Sequence, residues 1–159
     1  MIRFSTIDMV CVVSPNYLSK RGRPATPDTL SEHKALRYTL AKWGVLWRFM
    51  DENGRIHQGR PQTSLSANND EHIMQACAAG LGIALLPVFI DHEGIRDGSI
   101  EVILADYQLD SVGMYLVYPP GRYLSRRVRV LSEHMVEQFQ PKAPWADCPM
   151  GARYDKKNA

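Results

Sequence analysis

Few residues in this chain have the type and spacing to do chemistry. The 5 histidines stand at His33, His57, His72, His92 and His134. None falls in the HxxxH or HExxH spacing that sets two imidazoles on one helix face, so metal ligation is not expected. The 3 cysteines, Cys11, Cys77 and Cys148, are an odd number without CxxC spacing, which argues against a disulfide framework and a zinc cluster. Cys77 and His72, on one helix, point about 140° apart and make no nucleophile–base pair. Cys77 reads as a small core residue. The glycines of Ala79-Gly80-Leu81-Gly82 follow a helix and precede a strand, the reverse of the order that aims backbone N–H groups at phosphate, so they read as a helix C-cap and a close helix–strand crossing. Asn68-Asn69-Asp70 is different: it stands between a strand and a helix, where open α/β sheets bind ligands. Capping and ligand binding are both open to it, and one residue can do both.

Two basic clusters remain, Lys20-Arg21-Gly22-Arg23 in a loop and Arg126-Arg127-Val128-Arg129 in the first turn of the last helix. The second opposes the helix dipole, which would suit a phosphate contact. A solvated face paired with Glu133 and Glu137 is the simpler reading. No helix-turn-helix pair or RNA-binding aromatic signature accompanies either cluster.

Several elements must position these residues. Met9–Val13 is an unbroken apolar run that predicts a strand buried on both faces, stopped by Ser14-Pro15. A helical turn over 16–21, a proline-rich loop over 20–27, a short turn over 28–33 and a strand over 35–40 follow. Val45–Met50 and Arg55–Gln58 flank Asn53-Gly54 and predict a hairpin. Thr63–Ala67 alternates like a strand, and Asn68 to Glu71 starts a helix running to about Gly80. Ile73, Cys77 and Leu81 share one face of it, and Met74, Ala76, Ala78 and Ala79 leave little polar surface, so this helix is expected to be well buried. A strand over 82–87, a helix over 88–93 ended by Gly94, strands over 100–104 and 114–118, and a helix from Ser125 to about Phe139 complete the pass. Val128, Leu131, Met135 and Phe139 form the apolar stripe of that last helix. Strand, helix, strand in this order predicts an α/β fold with a parallel or mixed sheet.

With 159 residues and 45% apolar side chains, the chain supports one core and not two comfortable ones. A net charge of +2 gives no strong positive field, so a dedicated nucleic-acid binder is not expected. The longest apolar stretch, Ala78–Ile90, holds two glycines and Pro87 and falls short of a spanning helix. Asp8 breaks any signal-peptide core. A reducing cytoplasm is the expected location.

Taken in series, Cys11-Val-Val-Ser-Pro-Asn-Tyr-Leu18, Leu30-Ser-Glu-His-Lys-Ala-Leu-Arg-Tyr38, Trp47-Arg-Phe49 with its Asn-Gly hairpin, Ser66-Ala-Asn-Asn-Asp70 and Ala78-Ala-Gly-Leu-Gly-Ile-Ala-Leu-Leu-Pro87 resemble the effector-binding domain of LysR-type transcriptional regulators. Val117-Tyr-Pro119 and the Arg-Val-Arg helix continue the likeness, which runs over about residues 8 to 140. It implies a periplasmic-binding-protein-like fold of type 2, with one complete lobe and the C-terminal part of the other. By that likeness 1–140 is a partial effector-binding domain: 15–104 the second lobe, 8–14 and 112–139 the crossing strands and first-lobe remainder, 141–159 a disordered tail. The family's helix-turn-helix, linker helix and first-lobe opening precede the matched stretch and have no counterpart here.

The resemblance implies a non-enzymatic module that binds a small organic effector, a carboxylate among the expected classes. No cofactor or membrane is implied. Ligand contacts are expected from Ser14, Arg37, Tyr38, Asn68, Asn69 and Asp70, with Arg37 pairing a carboxylate in bidentate fashion. Homo-oligomers, or pairing with intact regulator subunits, are expected, and sequence-specific DNA binding by this chain alone is not. A solute-binding protein of a transport system shares the fold, and a small cytosolic hydrolase is the other alternative.

Overall fold

A residue run apolar at every position can be satisfied only where both faces of a strand are covered, and Met9–Val13 (β2) occupies such a place, every one of its residues buried. The structure is a computed structural model that describes residues 1–42, 44–118 and 125–139, with the backbone alone of Asp91. Elements follow in the order β1 (Ile2–Ile7), β2, α1 (Pro15–Arg21), a 3-10 turn (Pro27–Glu32), β3 (Lys34–Tyr38), β4 (Trp47–Met50), β5 (Ile56–Gly59), β6 (Gln62–Ala67), α2 (Asp70–Ala78), β7 (Ile83–Pro87), α3 (Val88–Asp97), β8 (Glu101–Ile103), β9 (Gln108–Leu109), β10 (Val112–Leu116) and α4 (Arg126–Gln138). They divide into a larger unit, Asp8–Asp110, and a smaller one made of Met1–Ile7 and the chain from Ser111 on.

In the larger unit a five-stranded sheet has the order β6-β3-β7-β2-β8. β3 pairs parallel with β6 and β7, whereas β2 runs antiparallel to both β7 and β8. In-register residues of neighbouring strands share a face. Ala35, Ile83, Leu85, Met9, Cys11, Val13 and Ile103 therefore form one face, and they join Tyr17, Leu30, Trp47, Phe49 and Leu109 in a single core cluster. A second sheet, β5-β4-β9, carries Trp47, Phe49 and Leu109 onto that face. The opposite face holds Val10, Val12, Leu36, Ala84 and Leu86, all buried. There α2 places its Ile73 and Cys77, both fully buried, and the Cys77 thiol donates to the Val12 carbonyl at 3.5 Å.

Local chemistry explains the element ends. Asn53-Gly54 turns the hairpin, Gly54 at φ +78, and the Asp51 carboxylate accepts from the Asn53 and Arg55 amides at 2.9 Å each. Ser14, Asn69 and Ser125 cap α1, α2 and α4 through their side-chain oxygens. In the smaller unit β1 and β10 pair antiparallel with an irregularity between Arg3 and Ser5, and α4 packs on β1. Phe4 and Phe139 meet there edge-on, 5.0 Å between ring centres.

Several expectations need correction. β2 is a central strand of the larger unit, and the division falls between Ile7 and Asp8 and between Asp110 and Ser111, where crossing strands had been expected over 8–14. Helix α3 continues through Gly94 to Asp97 and stops at Gly98, φ +80. Gly94 serves packing instead: a Cβ there would stand 2.9 Å from Ile100 Cγ1. Leu81 is 52% exposed, because the chain has left α2 by then and the face it would have continued no longer exists. Only Ile73 and Cys77 of α2 are buried, and Glu71, His72 and Gln75 face solvent, so its expected apolar coat is absent. Strands β1 and β9 were not expected from sequence. The expected tail over 141–159 lies outside the described residues.

Candidate functional site

The chain passes from β3 to β6 on one side of the sheet and returns to β7 on the other, so the strand order reverses between β3 and β7. In open α/β sheets the crevice beyond the carboxyl ends of strands at such a reversal is where ligands bind. Arg37 and Tyr38 end β3 at this place, and Tyr38 stands in register with Ala67, just before Asn68, Asn69 and Asp70. The Thr39 amide donates to the Ala67 carbonyl at 2.9 Å, which extends the β3–β6 pairing to the lip of the edge. Asn69 Oδ1 accepts from the Glu71 and His72 amides, at 2.8 and 3.3 Å. Capping thus occupies Asn69, while Asn68 is left exposed beside it. Burial pushes the Asp70 carboxyl above the usual carboxylate range.

Ser14 does not belong to this group. Val12, Ala84 and Leu36 lie in one row across β2, β7 and β3. Because β2 runs antiparallel, Ser14 lies two residues below that row and Tyr38 two above it. The separation along the strands is about 13 Å. Ser14 is 1% exposed, and its Oγ accepts from the Tyr17 amide at 3.2 Å. It is a buried helix cap at the opposite edge, not a contact at the carboxyl edge.

The remaining five divide again. Arg37 continues the row of Leu85, Cys11 and Ile103, on the face covered by β4, β5 and β9, whereas Tyr38 shares the face of Leu36 with α2. The edge also gathers residues not expected from sequence. Ser66 stands in register with Arg37. Pro87 and Val88 begin α3 without a side-chain cap, the Val88 amide donating to the Asp8 carbonyl at 3.0 Å. Leu104, just past β8, holds φ +54, a left-handed conformation costly for a branched side chain. Alternation within β6 was the available signal for Ser66; no local signal marks Leu104.

Catalytic and metal arrangements find little support. Cys11 is fully buried, and burial pushes its thiol up, with the nearby Cys77 adding to the effect. Among the described residues no three His, Cys, Asp or Glu side chains converge on a cation site. His57 pairs with Asp51 at 3.0 Å and stacks edge-on against Tyr107. His33 Nδ1 lies 3.3 Å from the Tyr17 hydroxyl, which accepts from the Lys34 amide at 2.9 Å. These histidines hold loops and strand ends together. Arg126, Arg127 and Arg129 are exposed, and the expected pairing with Glu133 and Glu137 is not among the ion pairs of the described residues. Instead Arg129, Glu133 and Glu137 rim a hollow of about 300 Å³ with Ile2, Ser132 and Val136.

An α/β unit with a mixed sheet of this order belongs to the periplasmic-binding-protein-like class of type 2. The LysR substrate binding domain model matches residues 2–140, and the chain belongs to that family. It is 33% identical over 129 residues to the HTH-type transcriptional regulator YhjC of Escherichia coli, covering 80% of this chain and 43% of YhjC. CrgA of Neisseria meningitidis is 28% identical over 129 residues, 80% of this chain and 42% of that regulator. The chain thus spans less than half the length of these curated relatives. Among solved structures, the CrgA regulatory domain superposes with a TM-score of 0.73 at 25% identity, over 86% of this chain and 67% of that domain. The full-length Vibrio cholerae virulence activator AphB gives 0.68 at 26% identity, over 86% and 46%. The function of this region is that of the family, the effector-binding domain of LysR-type regulators.

Proposed function

We propose that this chain holds a small organic effector at the carboxyl edge of β3 and β6, through Arg37, Tyr38, Asn68, Asn69 and Asp70, without transforming it. One observation carries this reading: the strand ends and the helix start that bear those residues adjoin where the strand order reverses, although Tyr38 and Asn68 stand 30 positions apart in the sequence. Ser14 is left out because it lies buried at the opposite edge of the sheet. Polar side chains at two strand ends and a helix start can orient a ligand, but among the described residues no nucleophile stands beside an aligned base, which supports binding without turnover.

In a complete regulator the effector would act by differential affinity for two arrangements of the oligomer, the coupling equal to the difference in binding free energy. Self-association is part of the proposal, as is a cytoplasmic location. Among the described residues no helix is long and apolar enough to cross a membrane.

A thermal-shift screen of aromatic and aliphatic carboxylates, sugars and amino acids tests the reading on the 159-residue chain and on a full-length relative. A hit is expected to lose its effect in Asn68→Ala and Tyr38→Ala. A hit indifferent to both substitutions places the ligand elsewhere.

A further inference from the structure

Helix α4 carries its charges at the wrong ends for itself. Arg126, Arg127 and Arg129 stand in its first turn and Glu133 and Glu137 in its second half, with no acid in the first turn and no base in the last. Both groups oppose the helix dipole. Arg126, Arg129, Val130, Glu133 and Glu137 follow the spacing i, i+3, i+4, i+7 and i+11, which sets them within about 100° of one another around the axis. All five are exposed. Neither ion pair of the described residues includes any of them, although Arg129 and Glu133 stand one turn apart. Beside this face lies the hollow of about 300 Å³, with the apolar Ile2 and Val136 in its lining. No residue of α4 is buried, and Val130 is 55% exposed.

A charge order that is wrong for its own dipole is right for a neighbouring helix that runs the other way. We propose that this face of the smaller unit is an interface between two copies of the chain, α4 lying antiparallel to α4 of the second copy across a two-fold axis. Arg126 then comes level with Glu137 of the second copy, and Arg129 falls within one residue of its Glu133. Val130 comes level with Glu133, at the middle of the other copy's hollow. Every contact occurs twice by symmetry. The arginines of each copy lie toward the negative end of the other's helix, and its glutamates toward the positive end. A nucleic acid or an acidic protein would satisfy the arginines and repel Glu133 and Glu137, and a basic partner would do the reverse. Only a partner with both signs in reversed order satisfies all four charges, and α4 itself is one. The proposal goes beyond effector binding and gives self-association a definite surface.

Sedimentation equilibrium of the full 159-residue chain over a concentration series tests this with charge-reversed pairs. Arg126→Glu with Arg129→Glu leaves the face wholly acidic, and Glu133→Arg with Glu137→Arg leaves it wholly basic. Each of these chains alone is expected to dimerise about tenfold more weakly than the parent. Mixed in equal amounts, the two are expected to form a dimer with one copy of each, at a dissociation constant within about threefold of the parent's. The chain with all four reversals restores the complementarity and should dimerise like the parent, which keeps the test decisive if a single-sign variant folds poorly. Raising the salt should weaken the parent dimer and leave either single-sign chain no weaker than before. A parent dimer that both single-sign chains match overturns the proposed surface and leaves self-association standing. Single-sign chains that fail to pair when mixed also overturn it. A parent that stays monomeric throughout the series overturns the surface and self-association together, and leaves effector binding untouched.

Discussion

At the scale of single residues, two side chains set measurable stability. Asn69 satisfies two orphan amides at the start of α2. Asn69→Ala should therefore cost about 1 kcal/mol in a urea titration, and a loss near zero would show that α2 is held by Ile73 and Cys77 alone. His33 is 5% exposed. Burial pulls its imidazole below the ordinary value of 6.5, the Glu32 charge opposing this and the Arg21 charge adding to it. The unfolded chain then takes up this proton at higher pH than the folded one does. The contribution is present above about pH 6.5 and is lost as pH falls from there toward the depressed folded value. Urea titrations at pH 7.5 and 5.5 should show the folded state weaker at the lower pH, with the gap narrowed in His33→Gln.

At the scale of elements, the hairpin of β4 and β5 is the piece whose placement closes the core. Its turn is tied by Asp51, whose carboxyl is held below the usual range by the His57 hydrogen bond and by the Arg55 and Asn53 amides. Phe49 is carried under the sheet, fully buried. Gly59, at the end of β5, lies so close to the 3-10 turn that a Cβ would stand 2.6 Å from Leu30 Cδ1, 3.2 Å from Phe49 Cε2 and 3.2 Å from the Pro27 carbonyl. Gly59→Ala should consequently destabilise the larger unit by roughly 1–3 kcal/mol through overpacking. Calorimetry checks it, and an unchanged Tm would mean that the 3-10 turn yields at no cost. By contrast, Gly98 meets nothing within 4 Å, so only its left-handed backbone requires glycine there.

For the whole molecule, two outcomes follow from what the surface offers. The smaller unit exposes Ile2, Tyr115, Val117, Val130 and Leu131, while α2 of the larger unit turns Glu71, His72 and Gln75 to solvent. Exposed apolar residues at this density favour association, so sedimentation at micromolar concentration should show species larger than a monomer. A clean monomer would count against it. DNA is the second case. Specific readout needs an element set in a groove with several side chains on base edges, and the arginines of α4 offer charge without such an arrangement. A mobility-shift titration at physiological salt should find weak binding, indifferent to sequence and lost steeply as salt rises. Tight binding to one promoter that survives competitor DNA would refute this.

Local physics alone determined much of this protein. The unbroken apolar run of β2, the Asn-Gly hairpin, the Asn cap of α2 and the Ser125 cap of α4 depend on residues within a few positions of one another, and each was legible. So were the ordered segments, from Cys11-Val-Val-Ser-Pro to Ala-Leu-Leu-Pro87, that mark the family. Tertiary structure decided the rest. The direction of β2 is set by which rows bury together across residues 11, 85 and 103, and reversing one strand moves its end to the other edge of the sheet. That reversal takes Ser14 away from Tyr38. Alternation in β3 then sends Arg37 and Tyr38 to opposite faces, and the Arg37 Nε ends buried without a hydrogen-bond partner. Gly94 inside α3 and the left-handed Leu104 likewise answer to neighbours that the chain meets only after folding.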